Sequence, residues 1–147
     1  MPSTGSVVID DRLLIEELLV GLASRPPEVH TTTYWYYRAC RAAVLGAGGH
    51  LSGPFHRLPA DQQRAAVGSL LRLPDHITLS DPRRTVPLMV DLARRHPRLN
   101  LLNLEATAAA RTLDATIWLS PEAAGGILPG VLDVERIPWS KVPYRES

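Results

Sequence analysis

Two adjacent carboxylates, Asp10 and Asp11, follow an apolar run near the start of the chain. The run has the composition of a buried strand, and the residues after the acids repeat apolar side chains at helical spacing. In open α/β sheets, ligands bind outside the carboxyl ends of the strands. The pattern therefore predicts that Asp10 and Asp11 lie where metal or phosphate chemistry could take place. Both could instead cap the helix, because Asp is favoured at the N-cap and in the first turn.

A second group of residues combines aromatic rings with arginines. Residues 33–37 (TYWYY) hold half of the aromatic residues of the chain, and Arg38 and Arg41 follow about one helical turn apart. Stacking platforms for single-stranded RNA combine these residue types, so Trp35, Tyr37 and Arg41 are candidate RNA contacts. The alternative is that the rings anchor the core or a dimer interface, where Trp and Tyr are common.

Composition limits the classes of protein to consider. A chain of 147 residues with 45% hydrophobic residues fits one globular domain. The formal net charge of +1 gives no whole-molecule attraction to nucleic acid or anionic lipid, so such binding needs a local patch. Cys40 is the only cysteine, which excludes an internal disulfide and favours a reducing cytoplasm. We read no signal peptide and no membrane-spanning stretch, so we expect a soluble cytoplasmic protein.

The sequence lacks the motifs of several enzyme classes. The five histidines are scattered and form no H-E-x-x-H pattern, so a zinc enzyme is not favoured. No G-x-x-x-x-G-K or G-x-G-x-x-G loop is present for a nucleotide. No G-x-S-x-G elbow is present for a serine nucleophile.

Strand-like and helix-like patterns alternate along the chain, which predicts a three-layer α/β/α fold with a mostly parallel central sheet. Asp81 as N-cap with Pro82 behind it is a helix-start signal, although Pro87 could kink that helix or mark its true start. We expect one domain over residues 1–138 and a loose tail over residues 139–147. The predicted strands are residues 6–9, 29–31, 76–79, 115–119 and 132–137. The predicted helices are residues 11–22, 33–45, 60–71, 82–95 and 103–113, with a short apolar segment at 99–102 and a loop at 46–59.

Two segments resemble the PIN domain family. Residues 7–14 (VVIDDRLL) are similar to its opening strand and first acid, and residues 103–115 (NLEATAAARTLDA) to its late acid, alanine-rich helix and following strand. The resemblance covers about residues 6–139 and implies a PIN-like fold. PIN domains are typically magnesium- or manganese-dependent ribonucleases, many of them toxins of toxin–antitoxin pairs, and they use three or four clustered carboxylates. Such a cage suits a hard divalent cation that activates water against phosphate.

The family's acidic positions are only partly acidic in this chain. The resemblance places the first acid on Asp10, but the second falls at about Arg38, where a guanidinium would oppose a cation. The third falls on Asn103, a neutral ligand at best, with Glu105 two residues further on. The fourth falls one position from Glu122. The resemblance thus implies Asp10, Glu105 and Glu122 as catalytic acids, and Asp10, Asn103 and Glu105 as ligands of magnesium or manganese. Glu105 could equally be a helix-dipole partner.

These departures lead to a hypothesis and an alternative. The hypothesis is a PIN-like protein with an eroded metal site, weakly active or inactive, that binds RNA or an antitoxin-like protein. It would form a homodimer through an aromatic or alanine-rich helical face. The alternative is an active metal-dependent endoribonuclease of the toxin–antitoxin type. A third possibility is an unrelated α/β domain in which Asp10 merely caps a helix.

Asp11 and Arg38 are the expected modulating or phosphate-binding residues. Arg38 could pair with Asp10 and keep it ionised without a metal, or bind a phosphate through its bidentate fork. The orientation of Arg38 distinguishes the two functions. A side chain that points at the Asp10 cluster blocks a metal, and one that points to solvent leaves an unusual active site.

Overall fold

A computed structural model describes residues 5–45 and 59–144. The predicted loop at residues 46–59 lies outside the described residues, apart from Pro59. None of the described helices is long and apolar enough to cross a membrane. The strands are β1 (Ser6–Ile9), β2 (Glu28–Thr31), β3 (Ile77–Leu79), β4 (Thr116–Leu119) and β5 (Trp139–Lys141). The helices are α1 (Asp11–Leu19), α2 (Thr33–Leu45), α3 (Ala60–Leu71), α4 (Pro82–Arg95), α5 (Leu101–Leu113), α6 (Pro121–Ala124) and α7 (Leu128–Val134).

The five strands form one parallel sheet in the order β3-β2-β1-β4-β5. The central strand is β1, in which Val8 is in register with His30 of β2 and with Ile117 of β4. The chain leaves β1 toward β2 on one side, and β4 lies on the other side. The strand order therefore reverses between β1 and β4, which is where open α/β sheets bind ligands.

Helices cover both faces of the sheet, as the sequence predicts. Val7 and Ile9 of β1 pack into a core with α1, α2 and α3. Val8, between them, packs into a second core that includes side chains of α5 and α7. Successive strand side chains point to opposite faces, so a strand buried on both faces reads as an unbroken apolar run. The three-layer α/β/α architecture is confirmed.

The helix-start signal at Asp81 is confirmed. The Asp81 side chain accepts a hydrogen bond from the backbone N–H of Arg83 at 3.0 Å, and Pro82 occupies the first turn of α4. Pro87 lies inside the helix, which continues to Arg95. Pro87 therefore does not mark the start of α4.

Two helix boundaries differ from the sequence prediction. Helix α1 ends at Leu19 and not at residue 22, because Gly21 adopts a φ of +82°, a left-handed conformation that stops a helix. Helix α5 begins at Leu101 and not at residue 103. The Asn100 side chain accepts a hydrogen bond from Asn103 N–H at 2.9 Å, so the apolar segment at residues 99–102 supplies the cap and first turn.

The predicted strand at residues 132–137 is wrong. This part of the chain contains the end of α7, in which Leu128 and Leu132 are buried at the i, i+4 spacing of a helix while Val134 is 70% exposed. The fifth strand comes later, at Trp139–Lys141, and pairs with β4. Part of the segment that we expected to be a loose tail therefore belongs to the sheet.

Candidate functional site

A cavity of about 300 Å³ opens where the strand order reverses, beside the starts of α1, α5 and α6. We call this cavity the cleft. Its polar side chains include four charged groups and two amides, and its remaining lining is mainly apolar. The polar lining consists of Asp11, Arg12, Arg38, Asn100, Asn103 and Glu122. Four parts of the sequence that are far apart in the chain thus meet at one edge of the sheet.

Asp10 follows β1 directly and is fully buried. One carboxylate oxygen accepts a hydrogen bond from Leu13 N–H at 2.9 Å, which makes Asp10 the N-cap of α1. The other oxygen accepts hydrogen bonds from Ser120 N–H at 2.9 Å and from Ser120 Oγ at 2.6 Å. Asp10 therefore joins the ends of β1 and β4, and the helix-cap interpretation of this residue is supported.

Burial dominates the electrostatics of Asp10. Loss of solvation, reinforced by the neighbouring charge of Asp11, raises the pKa of the Asp10 carboxyl to about 6. The hydrogen bonds from Ser120 and Leu13 act in the opposite direction but do not cancel the effect of burial. Near neutral pH, Asp10 therefore holds a proton more readily than an ordinary aspartate.

Arg38 reaches the neighbouring acid, Asp11. Its Nε lies 3.4 Å from Asp11 Oδ2, and its side chain remains 49% exposed. The Asp11 side chain is only 10% exposed, and burial raises its pKa although the charge of Arg38 lowers it. The expected contact between Arg38 and Asp10 is therefore replaced by a contact with Asp11. Arg38 nevertheless lines the cleft.

Glu122, at the start of α6, is the other carboxylate of the cleft. One of its oxygens lies 3.7 Å from Arg12 Nη1, and the other accepts a hydrogen bond from Tyr144 Oη at 2.5 Å. The Glu122 side chain is 48% exposed. The C-terminal segment after β5 therefore reaches back to the edge of the cleft, a contact that the expectation of a loose tail missed.

Glu105 has a different set of partners. Its carboxylate accepts hydrogen bonds from Thr33 N–H at 3.2 Å, Tyr34 N–H at 2.9 Å and Ser80 Oγ at 2.8 Å. These contacts satisfy free N–H groups at the start of α2 and connect α5 to the loop after β3. Glu105 is buried and does not line the cleft. The sequence predicts that Glu105 could interact with the dipole of its own helix, α5, whereas the structure shows that Glu105 caps the start of α2.

The predicted catalytic acids Asp10, Glu105 and Glu122 do not form one cluster. Within residues 5–45 and 59–144, no three His, Cys, Asp or Glu side chains converge so that they could hold a metal ion. The candidate ligand Asn103 does line the cleft, as does Glu122. The structure thus brings Asn103 and Glu122 together and places Glu105 elsewhere.

The aromatic group divides into buried and exposed members. Trp35 is only 3% exposed and packs in the core beside β4, which supports the core interpretation of this residue, and it also lines the cleft. Tyr37 is 61% exposed, Tyr34 is 40% exposed, and Arg41 is exposed on the same helix. Tyr37 and Arg41 stay candidate RNA contacts.

The residues of the cleft do not fit a magnesium or manganese ion. Hard cations need several oxygen ligands, and the cleft offers Asp11, Glu122 and the neutral amide of Asn103. Two guanidiniums lie among these groups, so a cation would meet positive charge at short range. The fully buried Asp10 already uses both oxygens for hydrogen bonds.

Ser120 and Tyr144 are site residues that sequence reasoning missed. Ser followed by Pro121 is a signal for a helix start, and the Ser120 side chain does cap α6. The distance of 110 residues between Ser120 and Asp10 explains why no local pattern pairs them.

The sheet order, the two helical layers and the acid at the end of β1 together define a PIN-like fold. A matching solved structure is VapBC-1 from nontypeable Haemophilus influenzae, with a TM-score of 0.53, 9% identity, and coverage of 92% of this chain and 97% of that chain. Another is VapC20 from Mycobacterium tuberculosis, a sarcin–ricin loop cleaving toxin, with a TM-score of 0.49, 16% identity, and coverage of 83% and 97%. The sequence matches no protein-family model and no curated protein. The likeness therefore concerns the fold.

Proposed function

We propose that this protein is a PIN-like binding protein whose cleft does not support metal-dependent RNA cleavage. The observation that carries this proposal is the pairing of each carboxylate in the cleft with an arginine. Arg38 lies 3.4 Å from Asp11, and Arg12 lies 3.7 Å from Glu122. In a metal-dependent nuclease, these carboxylates would face a divalent cation.

The argument rests on charge and on ligand chemistry. Arginine keeps its charge at any physiological pH, so a cation could enter only if both guanidiniums moved away. A proton also competes with metal for a carboxylate, and burial raises the pKa of Asp10 to about 6. The arginines therefore weaken metal binding in the cleft, and the raised pKa weakens any contribution of the buried Asp10 to it.

The partner that the exposed surface favours is single-stranded RNA. Tyr37 and Arg41 project from α2, the helix that also supplies Arg38 to the cleft. Exposed rings interspersed with arginines bind bases by stacking and phosphates by charge. An antitoxin-like protein stays an alternative partner. A homodimer through the alanine-rich face of α5 is not favoured, because Ala106, Ala108, Ala109 and Ala110 are buried within the chain.

Cleavage and metal binding test the proposal directly. The purified protein is incubated with a mixture of structured and single-stranded RNA in manganese, and manganese is titrated separately by calorimetry. We expect neither cleavage nor saturable manganese binding. Cleavage that requires manganese and disappears in a folded Asp10→Asn variant would show that the protein is a nuclease.

RNA binding is measured in parallel, in the presence of EDTA, by the fluorescence anisotropy of a labelled single-stranded RNA. We expect Tyr37→Ser to weaken binding by about 1 kcal/mol or more through lost stacking. Val90→Ser is a matched control, because Val90 is 60% exposed on α4 and does not line the cleft. An equal effect of both substitutions, or no binding by the unaltered protein, would contradict the role of α2.

A further inference from the structure

The cleft holds more hydrogen-bond donors than acceptors. Among the described residues, the Arg38 guanidinium pairs with Asp11 through Nε, and its terminal nitrogens make no hydrogen bond to any of these residues. The side-chain amide of Asn103 likewise makes none within the described part of the chain, although its backbone N–H does. These donors face a cavity of about 300 Å³.

The carboxylates in the same cavity already have partners. One Asp11 oxygen accepts from Arg12 N–H at 3.0 Å, and the other lies against Arg38. Glu122 accepts from Tyr144 Oη at 2.5 Å and lies near Arg12. A ligand that satisfies the remaining donors must therefore bring acceptor oxygens and negative charge.

We propose that the cleft binds a phosphate monoester, with the phosphoryl oxygens on Arg38 and Asn103 and no metal ion. Binding exchanges the contact between Arg38 and Asp11 for a contact between Arg38 and phosphate. The proposal rests on the proposed function, since a cation held by the carboxylates would exclude the guanidinium from this position.

Geometry favours phosphate over a smaller anion. A guanidinium presents paired N–H groups whose spacing matches two phosphoryl oxygens. The first turns of α1 and α5 also open on the cleft, and helix N-termini favour negative charge. The apolar lining, which includes Leu102, Ile127 and Leu128, offers a surface for an organic group attached to the phosphate. A volume of about 300 Å³ is at the lower end of ligand pockets, which suits a molecule the size of a mononucleotide.

Competition between Asp11 and the ligand predicts the direction in which a substitution of Asp11 changes the affinity for phosphate. If phosphate replaces Asp11 on the guanidinium, loss of the Asp11 charge frees Arg38 and removes a repulsive neighbour. Asp11→Asn removes the charge but keeps the size and the polarity of the side chain, so it should strengthen phosphate binding. A site in which Asp11 holds the ligand through a cation would respond in the opposite direction.

Calorimetric titration of the full chain in EDTA tests the proposal, with adenosine monophosphate and inorganic phosphate as separate probes. We expect Arg38→Gln to weaken adenosine monophosphate binding by about tenfold, the equivalent of 1.4 kcal/mol. Asp11→Asn should strengthen it by about threefold or more, from the loss of a competing charge. Arg64→Gln, an exposed arginine of α3 outside the cleft, should change it by less than about twofold.

Each outcome bears on the proposal. Tighter binding of adenosine monophosphate than of inorganic phosphate supports a monoester ligand, and equal binding supports free phosphate on the same arginine. No saturable heat with either probe, or equal weakening by Arg38→Gln and Arg64→Gln, would overturn the assignment. Because EDTA is present, this result is independent of the manganese assay. Cleavage there would contradict the proposed function, whereas failure here would contradict only the phosphate site.

Discussion

Two carboxylates with little-exposed side chains have opposite electrostatic environments. The carboxylate of Glu135, which follows α7, accepts hydrogen bonds from Arg95 Nη2 at 2.9 Å and from Arg111 Nη2 at 3.0 Å. His96 Nε2 lies 2.7 Å from the same carboxylate. Asp10, directly after β1, accepts hydrogen bonds from backbone N–H groups and a hydroxyl, and it has Asp11 beside it. Hydrogen bonds from Arg95, assisted by His96, lower the pKa of Glu135 to about 2, whereas burial raises that of Asp10 to about 6.

The difference shows that a buried acid is not by itself a sign of a catalytic site. Both side chains are almost inaccessible, with Glu135 at 7% and Asp10 at 0%. Cationic partners make Glu135 a permanent anion that connects α4, α5 and the end of α7. Neutral dipoles make Asp10 a residue that can be protonated and that connects two strand ends. The guanidiniums of the cleft reach Asp11 and Glu122 and leave Asp10 to these dipoles.

The largest expected effect comes from removal of the Asp10 carboxyl. Asp10→Ala removes the cap of α1 and leaves two buried donors of Ser120 without their acceptor. A lost cap costs about 1 kcal/mol and each buried unsatisfied donor about 1–3 kcal/mol, so we expect a loss of about 4 kcal/mol near pH 5. Urea denaturation measures this loss.

Asp81→Ala is the matched control for that substitution. Asp81 also caps a helix, but it is exposed, and water can replace its hydrogen bond to Arg83 N–H. We expect a loss of about 1 kcal/mol from this cap alone. Equal losses in the two variants would mean that the contact between Asp10 and Ser120 contributes nothing to stability.

The contributions of Asp10 and Glu135 to stability change with pH in opposite directions. The pKa of Asp10 rises from 3.8 to about 6 on folding, so the native state binds more protons than the unfolded state between these values. The contribution of Asp10 is complete below about pH 4 and is lost as the pH rises through about 6. The shift of about two units corresponds to at most about 3 kcal/mol.

We therefore expect the destabilisation caused by Asp10→Ala to shrink as the pH is raised from about 4 to about 7. Urea titrations of both proteins across this range measure the difference. Glu135 behaves in the opposite way, because folding lowers its pKa. Its contribution to stability is present above the ordinary pKa of 4.5 and is lost as the pH falls toward about 2. A destabilisation by Asp10→Ala that grew with pH would show that the native Asp10 is stabilised as an anion.

Local patterns predict much of this fold and little of its site. The apolar run before Asp10 and the Asp81–Pro82 signal are short-range features, and both predictions are confirmed. The last strand was misplaced because the apolar residues near Leu132 also fit the helical spacing, which tertiary packing selected. The two residues of α2 that donate to Glu105, Thr33 and Tyr34, lie more than 70 residues away in the chain. Only folding brings such groups together, so no local spacing indicates that Glu105 caps α2.

Substitution of Glu135 tests the other side of the comparison. Glu135→Gln keeps the size of the side chain but removes the charge that Arg95 and Arg111 share. Both arginines are 44% exposed, so water can solvate them in part when the charge of Glu135 is removed. We therefore expect the free energy of unfolding to fall by about 2 kcal/mol, which is less than the cost of breaking a fully buried ion pair. Asp75→Asn, at an exposed loop position, should change stability by less than about 0.5 kcal/mol.

The smallest expected effect concerns Glu122, a carboxylate between the two extremes. It has a cationic partner, Arg12, and a neutral donor, Tyr144, and it is half-exposed. Burial and the hydrogen bond to Glu122 raise the pKa of Tyr144, so this hydroxyl remains a donor throughout the range in which proteins are usually studied. Tyr144→Phe removes that donor while keeping the ring, and water can replace it at an exposed carboxylate. We expect a loss of about 0.5 kcal/mol by urea denaturation. A loss above about 2 kcal/mol would mean that the partners of Glu122 stabilise the fold, as those of Glu135 do.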